Sequence, residues 1–165
     1  MKRAQQRSAR PAPGAVYRPA RLRDCHWMAG MSRDYIETGL PAWQWHGARI
    51  SRQLRQPECC GVIAEVQGRR AGFALMTFGR NDVHLALLAV QPKLRRGGLG
   101  RGLVEWLVES ARVAGLFQLK LEVRASNREA RAFYAALGFK ESAVLENYYC
   151  GCEAAVRLSA DLALA

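Results

Sequence analysis

Residues 90–103 constrain the fold of this chain more than any other segment. They read Val-Gln-Pro-Lys-Leu-Arg-Arg-Gly-Gly-Leu-Gly-Arg-Gly-Leu and follow an apolar stretch, His84–Val90, with the character of a β-strand. Glycine adopts backbone angles that strain other residues, so this run permits a tight turn and a close approach to a ligand. A helix that begins directly behind the turn adds unpaired N–H groups and a positive dipole end. The segment therefore predicts a strand–turn–helix unit that binds a phosphorylated cofactor.

The glycine spacing distinguishes between phosphate-binding motifs. Gly98 and Gly100 fill two positions of the dinucleotide pattern Gly-x-Gly-x-x-Gly, with Glu122 as a candidate acidic partner, but Leu103 occupies the third position. The Walker pattern is excluded because no Gly-Lys-Ser/Thr follows the glycines. The pattern Arg95-x-x-Gly98-x-Gly100 after a strand instead resembles the acetyl-CoA signature of the GNAT superfamily of N-acetyltransferases.

A second motif follows about thirty residues later, at residues 121–139. Apolar and charged residues alternate up to Arg124, which predicts a strand. Ser126 or Asn127 can cap the next helix, and Gly138 suits its C-terminal turn. One stripe of that helix carries Ala130, Phe133, Tyr134 and Leu137. The segment resembles the downstream GNAT motif, and the resemblance covers roughly residues 15–162.

The resemblance implies an α/β (α+β) fold in which a central, mixed and mostly antiparallel sheet of six to seven strands splays apart between four helices. Pattern and turn signals along the chain predict the same order of elements. The predicted strands are 16–19, 60–66, 71–78, 84–90, 117–124, 139–146 and 153–162, and the predicted helices are 24–38, 43–54, 100–114 and 127–137. Asp24 is the predicted cap of the first helix.

Length and charge predict one domain with a basic extension. The chain has 165 residues, of which 50% are hydrophobic, and a net charge of +11. Residues 1–23 contain seven Lys/Arg and no Asp/Glu, so we expect residues 1–13 to form a flexible basic arm before a single domain at 14–165. The arm is interpreted as a contact for RNA or the ribosome surface, or as a plain solvated tail.

The resemblance assigns a set of residues to acetyl-CoA. In the fold that the resemblance implies, the strand before the glycine loop and the strand after the next helix diverge, and the pantetheine arm lies between them. Backbone groups of Leu88, Ala89 and Val90 are expected to contact the acyl–pantetheine portion, although these residues also fit a buried strand. The residues expected to hold the pyrophosphate are Arg95, Arg96, Gly97, Gly98, Leu99, Gly100 and Arg101. Asn127 is expected to hydrogen-bond the pantetheine.

Amine acetylation requires a group that removes a proton from the amine and an acid that protonates the leaving thiolate. Glu122 is the candidate general base, with a pKa raised by partial burial, and Tyr134 is the candidate general acid. Glu122 also fits a surface residue paired with Lys120 and Arg124, and Tyr134 fits a core residue. His84 is a third candidate base, but it lies far from the glycine loop along its strand and fits a structural role better.

The spacing from Glu122 to Tyr134 and the later Glu-Asn-Tyr-Tyr at 146–149 narrow the resemblance. They resemble bacterial acetyltransferases that modify the N-terminal alanine of a ribosomal protein, in which Tyr148 or Tyr149 would line the peptide cleft. Leu87 stands where that group has Asn, and the tryptophans of the segment 43–46 fit an acceptor wall or the core. The acceptor is therefore a protein N-terminus or a small amine, and a non-catalytic CoA-binding sensor or RNA-associated protein is a further alternative.

Composition also bears on compartment, metals and membranes. The five cysteines form no Cys-x-x-Cys pair, so reduced thiols in a cytoplasm are expected and no metal site is expected. The apolar runs are too short to predict a membrane span or a signal peptide. The sequence leaves monomer and homodimer open.

Overall fold

A seven-stranded sheet organises the chain, of which the computed structural model describes residues 12–164. The strands are β1 (Ala15–Pro19), β2 (Cys59–Val66), β3 (Arg69–Phe78), β4 (Val83–Val90), β5 (Gln118–Arg124), β6 (Lys140–Tyr149) and β7 (Glu153–Asp161). The α-helices of these residues are α1 (Cys25–Tyr35), α2 (Gly47–Leu54), α3 (Leu99–Val113) and α4 (Arg128–Ala136). Short 3-10 turns lie at Leu22–Asp24, Pro92–Leu94 and Leu162–Leu164.

The order of strands in the sheet is β1-β2-β3-β4-β5-β7-β6. Strands β4 and β5 are parallel, and every other neighbouring pair is antiparallel. Helix α3 connects the two parallel strands, as a parallel crossover requires. This confirms the predicted mixed, mostly antiparallel sheet with four helices.

The sheet opens between β4 and β5. The two strands are paired only from Val83, opposite Leu119, to Leu85, opposite Leu121. Beyond Leu85, β4 continues to Val90 against β3, while β5 continues to Arg124 against β7. One edge of the second half of β4 is therefore left without a strand partner in the described part of the chain.

Two apolar layers hold the sheet between the helices. On one face, α3 packs with its fully buried Leu103 and Leu107 over β2, β3 and β4. On the other face, Met28 of α1 and Ile50 of α2 pack on β2, β3 and β4. Helices α1 and α2 thus cover the sheet only up to β4, and they contact neither β5 nor β7 extensively. The polar face of β5 is left beside the opening.

The second helix differs from the sequence prediction, which included Trp43 and Trp45. The helix begins at Gly47, because the His46 side chain accepts a hydrogen bond from the Arg49 N–H (3.4 Å) and caps it. The tryptophans belong to an irregular connection, in which Trp43 is 43% exposed and Trp45 packs on the α1–α2 side of the core. The first helix is also shorter than predicted and ends at Tyr35.

Asp24 is not the side-chain cap that its position predicts. Its buried carboxylate accepts hydrogen bonds from the Arg18 guanidinium (2.8 Å) and from the backbone N–H of Arg21 (2.9 Å), and it makes no capping bond to α1. Arg70 lies 3.5 Å away on its other side. Asp24 therefore joins β1 to the β2–β3 hairpin.

The predicted arm at residues 1–13 lies almost wholly outside the described residues, which begin at Ala12. Within residues 12–164, none of the helices has both the length and the apolar character needed to span a bilayer.

Candidate active site

A cavity of about 910 Å³ occupies the opening between β4 and β5. The second half of β4 and the end of β5 form two of its walls, and the start of α3 and one side of α4 also line it. The predicted site residues that line it are Leu88, Ala89, Val90, Arg95, Arg96, Gly98, Gly100, Arg101, Glu122, Asn127 and Tyr134. Gly97 and Leu99 are not among the lining residues, and the Leu99 side chain is buried in the core.

The glycine loop ends in the N-terminus of α3. Gly98 is the N-cap residue with a φ of 87°, a left-handed conformation that suits glycine, and no side chain caps the helix. The first helical hydrogen bond runs from the Gly102 N–H to the Gly98 carbonyl oxygen (3.0 Å). The N–H groups of residues 99–101 therefore have no acceptor within the helix and can bind an anion.

Gly100 has a separate packing role. A Cβ atom at this position would lie 3.1 Å from the Phe133 ring of α4. The absence of a side chain therefore lets the start of α3 approach the middle of α4, and both Gly100 and Phe133 line the cavity.

Three arginines surround this helix start. Arg95 donates a hydrogen bond from Nε to the Val90 carbonyl oxygen (3.1 Å), which ties the loop to the end of β4. Arg96 is exposed. Nη1 of Arg101 lies 3.8 Å from Oε1 of Glu105, and an ion pair of this kind near the surface contributes little to stability. The three positive charges and the helix N-terminus make this end of the cavity suitable for a pyrophosphate.

Asn127 caps α4 with its side chain. Its Oδ1 accepts a hydrogen bond from the Ala130 N–H (3.0 Å), so the oxygen is occupied by the helix. The side-chain NH₂ group is the part of Asn127 that is available to a ligand in the cavity.

Glu122 lies on the cavity wall with its side chain only 6% exposed. One carboxylate oxygen, Oε2, lies 2.5 Å from Nε2 of His84 on β4, and the other, Oε1, accepts a hydrogen bond from Nε of Arg157 on β7 (2.9 Å). Burial by itself raises the pKa of Glu122, but the hydrogen bonds and charges of His84 and Arg157 outweigh burial and lower it. The prediction of a raised pKa is therefore wrong.

The alternative partners expected for Glu122 bind elsewhere. Lys120 pairs with Asp82 (2.6 Å), and Arg124 lies 3.6 Å from Glu153. Glu122 is therefore not an exposed member of a charge ladder along β5, but the centre of a cross-strand cluster at the point where the sheet opens.

Tyr134 is buried between Phe133 and Phe139, and it also lines the cavity. Burial, together with the neighbouring Tyr149, raises the pKa of its hydroxyl. The phenol is therefore protonated throughout the physiological range. Tyr134 fits both the core role and the acid role considered from the sequence, since its ring packs in the core while the residue borders the cavity.

Tyr148 and Tyr149, at the end of β6, lie on the Glu122 side of the opening. Burial and the charge of Glu122 raise the pKa of the Tyr148 hydroxyl. Burial, Tyr148 and Glu122 raise the pKa of the Tyr149 hydroxyl in the same way. Tyr149 lines the cavity, whereas Tyr148 is 46% exposed.

The sequence did not indicate Arg157 as a site residue, and it suggested Arg124 only as an ion-pair partner of Glu122. His84 was expected to have a structural role. His84 contacts Glu122 because β4 and β5 are parallel and pair at their first residues, which places His84 opposite Lys120. Arg157 contacts Glu122 because β7 pairs with β5 in the register that puts the two residues directly opposite each other. The contact of His84 with Glu122 could have been predicted from the register of two parallel strands. The contact of Arg157 with Glu122 could not be predicted from any local sequence pattern.

The residues of the cavity fit acetyl-CoA. An unpaired β4 edge offers backbone groups to an extended pantetheine, and the uncapped start of α3 with its arginines offers donors to a pyrophosphate. Among the described residues, no group of three or more His, Cys, Asp or Glu side chains is placed to hold a metal ion.

Comparisons with known proteins agree with this geometry. The family described as "Acetyltransferase (GNAT) family" matches residues 25–139. The [ribosomal protein bS18]-alanine N-acetyltransferase of Escherichia coli (strain K12) is 43% identical over 82 residues, which cover 50% of this chain and 55% of the relative. The match thus spans only about half the length of that curated relative.

Two solved structures resemble most of the chain. Ard1 from Thermoplasma volcanium has a TM-score of 0.78 and 25% identity, covering 90% of this chain and 97% of its own. The ribosomal-protein-S18-alanine N-acetyltransferase from Escherichia coli has a TM-score of 0.73 and 29% identity, covering 90% of this chain and 94% of its own. With the family match over most of its length, the chain belongs to the acetyltransferase (GNAT) family.

Proposed function

We propose that this protein is an N-acetyltransferase that transfers the acetyl group of acetyl-CoA directly to a primary amine, and that the amine is the N-terminus of a protein. The observation that carries the proposal is the opening between β4 and β5. It joins an anion-binding helix start at one end to Glu122 and Tyr134 on its walls. The relatives named as ribosomal-protein alanine acetyltransferases support a protein N-terminus as the acceptor.

Glu122 is proposed to receive the acceptor amine. Acetyl-CoA, when bound, supplies an acetyl group activated as a thioester. The lowered pKa keeps the Glu122 carboxylate ionised at neutral pH, so it attracts an ammonium group and accepts its proton, directly or through water. Arg157 and His84 hold the two carboxylate oxygens in place.

Tyr134 is proposed to protonate the departing thiolate. Its raised pKa means that the hydroxyl carries a proton at any pH at which the amine reacts. Backbone N–H groups at the unpaired edge of β4 are the proposed donors to the acetyl carbonyl, where negative charge develops during transfer. None of the cysteines of the chain lies in either motif, which agrees with direct transfer.

Binding of acetyl-CoA tests the first half of the proposal. We expect calorimetric titration to detect acetyl-CoA binding, and the Gly98→Glu substitution to abolish it by placing a carboxylate at the start of α3. Gly115→Glu is the matched control, because Gly115 has a similar φ (77° against 87°) but lies at the other end of α3. Equal loss in both variants, or no binding by the unchanged protein, would contradict the assignment.

Two alternative functions are compatible with the same fold. A small-amine acetyltransferase would use the same cofactor site with a polyamine or another small acceptor, and acceptor preference distinguishes it. A non-catalytic CoA sensor would keep its function without Glu122 and Tyr134, whereas an acetyltransferase would lose activity. Substitution of these two residues therefore distinguishes a sensor from an enzyme. The relatives named for protein acceptors favour neither alternative.

We further propose that a basic surface at the β1 end of the sheet approaches the ribosome or its RNA in the cytoplasm. Arg23 and Arg69 are exposed there beside a cavity of about 540 Å³. Asp24 and Glu65 hold Arg18 and Arg70 of the same surface in fixed positions. The basic arm at residues 1–13 precedes this surface in the sequence, so charge complementarity to nucleic acid supports the contact. Monomer and homodimer are both compatible with the proposal.

A further inference from the structure

Arg124, at the end of β5, has hydrogen-bonding capacity that the described residues do not satisfy. Its side chain is 18% exposed, yet Nε and one terminal nitrogen, Nη2, are fully buried and donate to no group in residues 12–164. A guanidinium carries five N–H donors, and buried donors of native proteins are nearly always paired. The arrangement therefore calls for an acceptor that is not part of the described chain.

The ion pair with Glu153 does not supply that acceptor. Nε of Arg124 lies 3.6 Å from Oε2 of Glu153, beyond the range of a hydrogen bond. The other oxygen of Glu153 accepts a hydrogen bond from the Ser126 hydroxyl (2.8 Å). Glu153 balances the charge of Arg124 but leaves its buried donors unused.

The position of Arg124 indicates where the missing acceptor would lie. Arg124 lines the cavity and follows Glu122 by two residues on β5, so both side chains lie on the same face of the strand. Two residues along a strand span roughly 7 Å. Leu121 and Val123, on the opposite face, are buried in the core. The donors of Arg124 therefore lie within a short reach of an amine held by Glu122.

We propose that Arg124 determines acceptor specificity by donating hydrogen bonds to a main-chain carbonyl within the first two residues of a peptide whose N-terminal amine binds Glu122. This inference rests on the proposed acetyl transfer at the same site. A peptide N-terminus always carries carbonyl oxygens at this distance from its amine. A polyamine offers only donors and positive charge, which Arg124 repels.

The partial neutralisation of Arg124 by Glu153 agrees with a neutral carbonyl as the ligand. An anionic ligand at Arg124 would be repelled by the negative charge of Glu153. A carbonyl oxygen accepts a hydrogen bond from the guanidinium without adding a charge. Arginine also suits the task because its donors are fixed in one plane and two of them can point the same way.

Acceptor binding, measured without turnover, tests the inference. The protein is saturated with CoA, which carries no acetyl group, and titrated with an alanine-initiated tetrapeptide and with spermidine. We expect Arg124→Met to weaken peptide binding by roughly 10- to 100-fold and to leave spermidine binding unchanged or tighter. Arg124→Lys keeps the charge but loses the paired donors, so its affinity for the peptide should lie between those of the unchanged protein and Arg124→Met. It replaces Arg124→Met in the test if that variant does not fold.

Glu153→Gln is the matched control, since it breaks the same ion pair and keeps the Arg124 donors. We expect it to retain the preference for peptide over spermidine. Acetylation assays with the same two acceptors should show the loss in the Arg124 variants mainly as a higher KM for the peptide. Thermal melting of each variant separates this effect from loss of structure.

Two results would overturn the inference alone. In the first, the Arg124 variants lose peptide and spermidine binding equally, or Glu153→Gln loses the peptide preference to the same extent, which would assign Arg124 a structural role. In the second, the Arg124 variants keep the peptide preference of the unchanged protein. If the unchanged protein binds acetyl-CoA but acetylates neither acceptor, the proposed function itself fails, and this outcome is distinct from both.

Discussion

At the scale of single residues, three strands meet at the carboxylate of Glu122, the proposed general base. Its own strand β5 carries it, His84 reaches it from β4, and Arg157 reaches it from β7. These partners lower the pKa of Glu122, so as the proposed base it would be well placed but weak. The proton that limits the rate at low pH is therefore expected to be that of the acceptor amine, whose pKa is about 8 for a peptide N-terminus.

Replacing Glu122 tests its role in proton removal. We expect Glu122→Gln to lower kcat/KM by roughly 10²- to 10⁴-fold with an unchanged Kd for acetyl-CoA, because the carboxylate faces the acceptor. Steady-state kinetics and calorimetry measure the two quantities. Glu141→Gln, which removes a carboxylate from the exposed pair with Arg131, should leave both unchanged. Equal activity in the two variants would exclude Glu122 as the base.

The lowered pKa of Glu122 also makes a prediction about stability. A group whose pKa is lower in the folded protein stabilises it above the ordinary value, near 4.5, and the contribution disappears as the pH falls through the folded pKa. The difference in unfolding free energy between the unchanged protein and Glu122→Gln should therefore be largest above pH 4.5 and shrink on acidification. Urea unfolding at a series of pH values measures it. A gap that stays constant down to acidic pH would contradict the assigned cluster.

Tyr134 gives a separate prediction for the leaving group. Tyr134→Phe keeps the ring packed between Phe133 and Phe139 but removes the hydroxyl proton, so we expect kcat to fall by roughly 10²- to 10⁴-fold while the melting temperature changes little. Tyr17→Phe is the matched control, since its hydroxyl contacts the Leu99 carbonyl oxygen rather than the cavity. Unchanged kcat in Tyr134→Phe would leave the tyrosine with a packing role only.

At the scale of elements, the connection between α1 and α2 is held by one buried carboxylate. Glu37 is 8% exposed and accepts hydrogen bonds from the backbone N–H groups of Gln44 (2.7 Å) and Trp45 (3.2 Å), and from the Ser32 hydroxyl (3.0 Å). The Gln44 side chain in turn contacts Cys150 in the β6–β7 turn (3.8 Å). Glu37 thus connects α1, through Gln44, to the β6–β7 turn.

We expect Glu37→Gln to destabilise the protein by about 2 kcal/mol, because a neutral amide cannot accept from all of these buried donors. Amide hydrogen exchange at residues 44 and 45 should increase more than exchange in β2 or β3. Denaturant unfolding and exchange measured by mass spectrometry check the two effects. Exchange that rises equally throughout the sheet would indicate a general loss of stability rather than release of this connection.

The sequence predicted the elements that local patterns determine. Strand β5, helix α4 and the turn between them follow from alternation, from the Asn127 cap and from Gly138, and each boundary is correct within about two residues. The start of α2 was wrong because His46, which is not among the usual capping residues, caps the helix. The contact of His84 with Glu122 depends on strand register, which no short pattern records.

At the scale of the whole molecule, charge is unevenly distributed between the two ends of the sheet. The surface formed by Arg18, Arg23, Arg69 and Arg70 lies at the β1 end, away from the opening between β4 and β5. Binding to a polyanion at this surface would leave the acetyl-transfer site accessible. The proposed arm at residues 1–13, which contains four Lys/Arg, would extend the same positive region.

This distribution predicts salt-dependent RNA binding. We expect fluorescence anisotropy to detect binding of a labelled RNA hairpin that weakens steeply with salt, and the double substitution Arg23→Glu and Arg69→Glu to weaken it further. Arg52→Glu with Arg80→Glu introduces the same change in charge at exposed positions elsewhere and should have a smaller effect. Removing residues 1–13 should reduce the salt dependence. Equal loss of RNA affinity in the two double substitutions would mean that the net charge of the protein, and not this surface, attracts the RNA.

The position of the transferred acetyl group distinguishes an N-terminal amine from a side-chain amine as the acceptor. The protein is incubated with acetyl-CoA and an alanine-initiated peptide that also contains a lysine, and the product is sequenced by tandem mass spectrometry. We expect one acetyl group on the N-terminal amine, absent with Glu122→Gln and absent when the peptide N-terminus is blocked in advance. Acetylation of the lysine side chain alone, or of neither amine by a protein that binds acetyl-CoA, would exclude the N-terminal amine as the acceptor.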